Sequence, residues 1–326
     1  MTIDHGEIHH LPRYKKYPLF GILVQPEKES CEETLAILTQ LFSRTARNIK
    51  SKLTISMTTA EPVEKIVRQI ENASQSSSSF APLFKEPKLA QVGALKSLTV
   101  FNGSPRGKSG NTPRLLQKVI DGFISIDSNT AEMMHLFQTK KISEFAAAFE
   151  KADSVLIGFP LYTDGMPGIV KEFIEGLQPF MKRAQNPPIA FLVQSGFPEA
   201  LHSRYVEQYL ISLTDRLNSP YLGTLVRGGC EGVRLQPENF NRKMFAALNA
   251  LGSQLGIQGG FEEGSIKAFS SIERYPKAIL PIIKILEKTP LLQMYWNSHL
   301  KKNNVYYNAL PARIKKNSLG LHFLLY

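Results

Sequence analysis

Cysteines and long apolar runs are both scarce in this chain of 326 residues. The two cysteines, Cys31 and Cys230, are too few for a disulfide framework or a cysteine-rich metal or iron–sulfur site. No apolar run approaches the roughly 20 residues that cross a bilayer, and the N-terminal sequence lacks the charged-then-apolar pattern of a secretory signal. We therefore expect a cytoplasmic protein without a transmembrane anchor, in which both cysteines are structural bystanders.

Charge and histidine content identify no particular partner. The net charge of +11 favours anionic ligands, but the excess lysine and arginine is spread along the chain and indicates no specific nucleic acid. The seven histidines show neither metal-ligand spacing nor the order of a Ser/His/Asp triad, so we expect no bound metal. His202 is expected on a helix surface, with a place at the edge of a ligand site as the alternative.

A shift in composition divides the chain. The serine-rich stretch at 74–79, followed by two prolines, is typical of a flexible connector. We predict a small β-α-β-α unit over residues 1–73, a linker over 74–96, a main domain over 97–264 and a C-terminal extension over 265–326. The extension has short helical stretches broken by prolines, and we expect it to cover the domain or a subunit interface.

The main domain alternates apolar strands with segments of helical periodicity. Five parallel strands with helices between them predict a doubly wound α/β sheet, whose ligands bind beyond the carboxyl ends of the strands. The predicted strands begin near Leu98, Ala131, Ser154, Ile189 and Tyr221.

The first of these strands leads into the stretch VFNGSPRGKSGNTPRLL, residues 100–116. Its Gly-Lys-Ser at 107–109 is similar to a nucleoside-triphosphate loop, but only three residues separate Gly103 from Gly107, where that loop needs four. A dinucleotide-binding G-x-G-x-x-G is absent as well. The remaining pattern, a hydroxyl-rich turn before a helix that starts near Thr112, suits a phosphate monoester. The alternative is that the turn merely caps the helix.

A second stretch, ADSVLIGFPLYTDGMPGIVKEFIEGL at 152–177, follows some fifty residues later. Together the two motifs resemble the flavodoxin-like NAD(P)H-dependent FMN reductase family, over roughly residues 98–261. The resemblance implies a flavodoxin-like fold and an FMN phosphate site formed by Ser104, Arg106, Ser109, Asn111 and Thr112. It also implies that the isoalloxazine ring is flanked by Pro160, Leu161, Tyr162, Thr163, Asp164, Gly165 and Met166. A third loop is expected on the other side of the ring and offers Ser195, Gly196 and Phe197.

The function implied by this resemblance is an FMN-dependent oxidoreductase. Hydride would pass from NADPH or NADH through FMN to a quinone, a free flavin or another small-molecule electron acceptor, and no protein side chain need be catalytic because the flavin carries the chemistry. Relatives in this family imply a homodimer. Two alternatives stay open: an FMN electron carrier without NAD(P)H activity, and a flavin-free scaffold that kept the fold. Asp164 either tunes the flavin potential or completes an Asp-Gly turn.

Overall fold

The computed structural model describes residues 2–4, 7–9, 17–26, 32–73, 86–287, 298, 301, 304 and 323–325. The chain folds into two compact units. One comprises Leu83–Glu273, and the other comprises Met1–Pro82 together with Arg274–Tyr326. The serine-rich connector predicted at 74–79 lies outside the described residues.

The unit that contains the N-terminus is built on a small parallel sheet. It opens with two short antiparallel strands, β1 (Thr2–Asp4) and β2 (Glu7–His9), and continues with β3 (Phe20–Val24), α1 (Glu32–Asn48), β4 (Leu53–Thr58) and α2 (Val63–Glu71). Strands β3 and β4 pair in parallel, and Ile22, Ala46 and Leu53 form a minor core. Pro62 precedes α2, where its missing N–H costs the helix nothing. From β3 onward the elements follow in the order β-α-β-α, after the antiparallel pair of β1 and β2.

The larger unit is a five-stranded sheet in which every pairing is parallel. Its strands are β5 (Ser97–Asn102), β6 (Thr130–His135), β7 (Val155–Pro160), β8 (Ile189–Gln194) and β9 (Tyr221–Arg227). The strand order is β6-β5-β7-β8-β9. The helices are α3 (Asn111–Phe123), α4 (Ile142–Glu150), α5 (Gly168–Gly176), α6 (Leu201–Leu217), α7 (Glu238–Gln258) and α8 (Glu263–Phe269).

The core of this unit lies on both faces of the sheet. Strands β7 and β8 are buried along their whole length, as expected for central strands covered by helices on either side. On one face Ile157 packs with residues of α4, α5 and α6. On the other face Leu156 packs with residues of α3 and α7. The alternation of neighbouring side chains between two cores is the reason these strands are continuous apolar runs in the sequence.

The C-terminal segment is helical as far as it is described without a break. A 3₁₀ turn at Lys277–Ile279 leads into α9 (Leu280–Glu287). Strand β10 (Phe323–Leu325), which the sequence pattern did not indicate, pairs in parallel with β3. The tail aromatics Tyr295, Trp296, Tyr306 and Tyr307 lie outside the described residues. Nowhere in the described ranges does a helix combine the length and the apolar character that crossing a membrane requires.

Candidate functional site

Parallel pairing brings the carboxyl ends of the five strands to one edge of the sheet. Five loops leave this edge, one after each strand. Four of them form the candidate site: loop 1 (residues 103–110) after β5, loop 2 (161–167) after β7, loop 3 (195–200) after β8 and loop 4 (228–237) after β9. The strand order reverses direction between β5 and β7, which is the point at which open α/β sheets bind ligands. Loops 1 and 2 therefore flank the expected ligand position.

The conformation of loop 1 is set by Asn102, the last residue of β5, which is fully buried. Its Oδ1 accepts the main-chain N–H of Ser104 at 3.1 Å, and its Nδ2 donates to the carbonyl of Gly107 at 3.1 Å. The same Nδ2 lies 2.8 Å from Nδ1 of His135 at the end of β6. Since an amide nitrogen only donates, Nδ1 of His135 is the acceptor, and the ring is neutral in this arrangement.

Electrostatics agree with a neutral imidazole at this position. Burial, followed by the positive charge of Lys108 in loop 1, lowers the pKa of His135 below its usual value. Protonation would turn Nδ1 into a donor that faces the donor of Asn102. The hydrogen-bond arrangement of loop 1 is therefore coupled to the charge on His135.

The start of α3 has the features of an anion site. Gly110 precedes the helix, and no side chain caps its first N–H groups. The Ser104 hydroxyl lies beside Gly110, since a Cβ built on that glycine would meet Oγ at 2.5 Å. Ser104 is buried, and among the described residues its hydroxyl has no hydrogen-bond partner. Arg106 is exposed and makes no ion pair within the described ranges, while Ser109 donates its hydroxyl to the Arg106 carbonyl at 2.9 Å.

The other two residues predicted at the phosphate, Asn111 and Thr112, are buried, and their side chains link loop 1 to its neighbours. Asn111 donates from Nδ2 to the Cys230 carbonyl at 2.7 Å and accepts the N–H of Arg234 at 3.1 Å. Thr112 Oγ1 accepts a hydrogen bond from Nε2 of Gln194, the last residue of β8, at 3.3 Å. Both side chains thus hold loops 3 and 4 against the start of α3.

Loop 2 contains a strained reverse turn. Tyr162 and Gly165 exchange main-chain hydrogen bonds of 2.9 and 3.1 Å, and the two residues between them, Thr163 and Asp164, have φ of 48° and 66°. Two central residues with positive φ describe a turn of type I′, which favours Asn-Gly and disfavours a β-branched threonine. The turn expected at Asp164-Gly165 is therefore centred one residue earlier. Aspartate tolerates this backbone region, so the strain falls on Thr163; it is of the order of 1–3 kcal/mol and must be compensated by contacts around the turn.

The side chains of loop 2 divide into exposed and buried sets. Tyr162 is 46% exposed and Thr163 is exposed as well, so both are accessible to a planar ligand. Leu161 and Met166 pack against the core, and Pro160 is buried at the end of β7. Loop 2 is joined to β8 through the Leu161 N–H, which donates to the Gln194 carbonyl at 2.7 Å.

The carboxylate of Asp164 is buried beside His202, which is itself fully buried. Asp164 Oδ1 lies 3.7 Å from Nδ1 of His202, and Glu199 Oε2 lies 3.6 Å from Nε2. The ring of Phe197 stacks on the imidazole with a centroid distance of 4.7 Å. The expectation that His202 lies on a helix surface is therefore wrong, because loops 2 and 3 cover this first turn of α6.

Loops 3 and 4 are tied to each other by main-chain hydrogen bonds. Ser195 is buried and accepts the N–H of Cys230 at 2.9 Å, and the Phe197 carbonyl accepts both the Ser195 hydroxyl and the N–H of Gly229. Gly196 is exposed and Phe197 half-buried. Burial raises the pKa of the Cys230 thiol to about 12, so this cysteine is a buried thiol at neutral pH.

The sequence reasoning missed the polar residues that close the strands. Asn102, His135 and Gln194 are each the last residue of an apolar strand, and each connects two of the elements at the ligand edge. Their position was the available signal, because a polar residue at the carboxyl end of a parallel strand lies at that edge.

The first strand of the five-stranded sheet along the chain, β5, lies second in the sheet, between β6 and β7. This strand order is that of the flavodoxin-like class, and the fold prediction is confirmed. Residues 97–224 match the family model of NADPH-dependent FMN reductase. The resemblance that the two motifs indicated is thus confirmed over this stretch, which contains loops 1, 2 and 3.

Several solved structures are similar to part of this chain. An FMN-dependent NADH-azoreductase from Bacillus anthracis, solved in complex with FMN, shares 13% identity at a TM-score of 0.40 and covers 50% of this chain and 100% of its own. The Trp repressor binding protein from Bacillus subtilis shares 18% identity at a TM-score of 0.37, and the match covers 48% of this chain and 96% of that protein. An NADPH-quinone reductase from P. pentosaceus shares 12% identity at a TM-score of 0.36, and the match covers 48% of this chain and 96% of that protein. A search of curated protein sequences finds no match.

Proposed function

We propose that this protein is an FMN-dependent NAD(P)H oxidoreductase. The observation that carries the proposal is loop 1: a hydroxyl-rich turn with an exposed arginine before a helix start without a side-chain cap, at the switch point of a flavodoxin-like sheet. The match of residues 97–224 to the NADPH-dependent FMN reductase model supports the identity of the cofactor.

The donors of loop 1 fit a phosphate monoester. Among the described residues, the Ser104 hydroxyl has no hydrogen-bond partner and the Arg106 guanidinium makes no ion pair, so both are available to a ligand. Helix α3 adds its first main-chain N–H groups. The Ser109 hydroxyl already donates to a carbonyl, so we assign its role to shaping the turn. Asn111 and Thr112 support the site by fixing loops 3 and 4, and contribute to the phosphate through main-chain N–H groups at the helix start.

The ring would lie across loops 2 and 3. Tyr162 and Thr163 are the exposed members of loop 2, and Gly196 and Phe197 are accessible in loop 3. The remaining predicted residues have a supporting role. The conformation of loop 2 is held on its core side by Pro160, Leu161, Gly165 and Met166, and the Ser195 hydroxyl fixes loop 3. Bound FMN supplies hydride transfer between a nicotinamide and the final acceptor. The chain's own residues bind the cofactor, orient it and shield it from water. This role agrees with the absence of a triad or metal-ligand spacing in the sequence.

The test of the cofactor compares FMN with riboflavin, which lacks the phosphate. In a fluorescence titration, we expect flavin fluorescence to be quenched when FMN binds. Riboflavin should bind at least about tenfold more weakly, since charge-assisted hydrogen bonds contribute about 1.5–3 kcal/mol each. Ser104→Ala should weaken FMN binding and leave riboflavin binding unchanged. Ser125→Ala, just beyond the C-terminal end of α3 and far from loop 1, is the control. Equal affinity for FMN and riboflavin would refute the phosphate site.

The test of the reaction is anaerobic stopped-flow reduction by NADPH and by NADH. Reduction of the bound flavin by either donor supports the oxidoreductase, and the faster donor identifies the nicotinamide. A flavin that NAD(P)H does not reduce, but that dithionite does, would favour an electron carrier. Turnover with quinones and with free flavin then identifies the acceptor.

We also propose that the protein is a cytoplasmic homodimer. The match of residues 97–224 to the NADPH-dependent FMN reductase model supports this assembly, because reductases of this kind resemble one another in pairing across their flavin loops. Light scattering at micromolar concentration with FMN present should give twice the mass of one chain. A monomer under those conditions would contradict this assembly.

A further inference from the structure

We propose that His202 is a positioning residue whose protonated imidazole, held between Asp164 and Glu199, fixes the strained turn of loop 2 and balances the Asp164 charge. The three side chains are buried together, with each imidazole nitrogen facing one carboxylate. Within the described residues, no three acidic, histidine or cysteine side chains are arranged to hold a metal ion. The group has the arrangement of an ion-pair cluster.

The backbone of loop 2 needs support from its surroundings. Thr163 and Asp164 both occupy the left-handed region, where only glycine, asparagine and aspartate are at ease. The reciprocal hydrogen bonds between Tyr162 and Gly165 close the turn but do not attach it to the rest of the fold. Residues kept in such conformations need surroundings that over-determine them. The contact of Asp164 with His202 supplies an attachment.

The imidazole of His202 lies between two loops. His202 lies in the first turn of α6 and Glu199 in loop 3, so one ring links loop 3 to the turn of loop 2. Phe197 stacks on this ring at an interplanar angle of 17°, which fixes its plane. Only an imidazolium carries a proton on both nitrogens, so only that form presents a positive charge to both carboxylates at these ion-pair distances of 3.7 and 3.6 Å.

Charge is the other reason for an imidazolium at this position. Two buried carboxylates with no positive charge between them would repel each other and oppose electron uptake by a nearby ring. An imidazolium between them attracts both carboxylates and offsets part of their charge. The effect on the flavin rests on the proposed function, whereas the charge state and the turn do not.

Three variants test this role. His202→Gln keeps the size and a hydrogen-bonding group but removes the charge, and Asp164→Asn removes the carboxylate in the turn. Thr214→Val is the matched control, because Thr214 is also buried in α6 and its side-chain hydroxyl donates only to the Ile211 carbonyl among the described residues.

In the protein without FMN, ¹⁵N spectra at pH 7.5 should show both nitrogens of His202 protonated, with the signals assigned by their loss in His202→Gln. Hydrogen exchange at the Tyr162 and Gly165 amides should accelerate in His202→Gln and in Asp164→Asn by roughly 2- to 150-fold, the range for coupled contacts. Thr214→Val should leave both amides protected. A neutral ring, or amides that exchange alike in wild type and His202→Gln, would overturn the proposal.

With FMN bound, dye equilibration should give a lower midpoint potential for His202→Gln and a higher one for Asp164→Asn. The two changes should be non-additive, because the imidazolium offsets the carboxylate in the wild type. Additive potentials would overturn the charge-balancing part. A protein that binds no FMN would refute the proposed function and leave the spectra and exchange rates as the test of His202.

Discussion

Replacement of Asn102 by alanine should remove the support of loop 1. The side chain is fully buried and makes three hydrogen bonds, to Ser104, Gly107 and His135. At a net value of about 1 kcal/mol each, the free energy of unfolding of the flavodoxin-like unit should fall by about 3 kcal/mol. The donors and acceptors left unpaired in a buried site keep this value from being smaller.

Loop 1 would then be ordered only when a ligand binds, so part of the binding energy would be spent on ordering it. We expect FMN to bind at least about tenfold more weakly, which corresponds to about 1.4 kcal/mol. Urea denaturation followed by circular dichroism gives the stability change, and fluorescence titration gives the affinity.

Asn129→Ala is the matched control in the same unit. Asn129 is also buried, but its side chain makes one hydrogen bond, to the Phe123 carbonyl at 3.2 Å, at the opposite edge of the sheet from loop 1. Its loss should cost about 1 kcal/mol and leave FMN affinity unchanged. If Asn102→Ala is no more destabilising than Asn129→Ala, the assignment of Asn102 as the organiser of loop 1 is wrong.

Three further predictions concern the same unit. Because burial and Lys108 lower the pKa of His135 in the folded protein, the unfolded chain binds more protons just below the ordinary pKa of about 6.5. The contribution of His135 to stability is therefore complete above that pH and is lost as the pH falls. Denaturation at pH 7.5 and at pH 5 should show that the free energy of unfolding falls less for His135→Gln than for the wild type. Gly103→Ala should destabilise by about 1–3 kcal/mol in thermal unfolding, because the new Cβ would lie 2.3 Å from Cγ2 of Val170; an unchanged melting temperature would contradict the packing. Cys230 should resist iodoacetamide at pH 8 in the folded protein and react once urea unfolds it, as mass spectrometry of its peptide would reveal.

The sequence determined the elements of the flavodoxin-like unit and the loops that form its ligand edge. Strands predicted near Leu98, Ala131 and Ser154 begin at Ser97, Thr130 and Val155. Apolar periodicity, and glycine and proline at the turns, act over a few residues and can be read locally. The two loop motifs were recognisable for the same reason, since each is continuous in sequence.

Only the tertiary structure decided what the side chains in those loops do. The motif places Asn111 at the phosphate, and the tertiary structure adds that its side chain donates to the Cys230 carbonyl, 119 residues away. His202 looked like a surface residue of a helix, yet loops 2 and 3 bury it between Asp164 and Glu199. Such contacts depend on which strands are neighbours in the sheet, and a short-range pattern contains no information about strand order. The strand pair of β3 and β10 has the same cause, because some three hundred residues separate its partners.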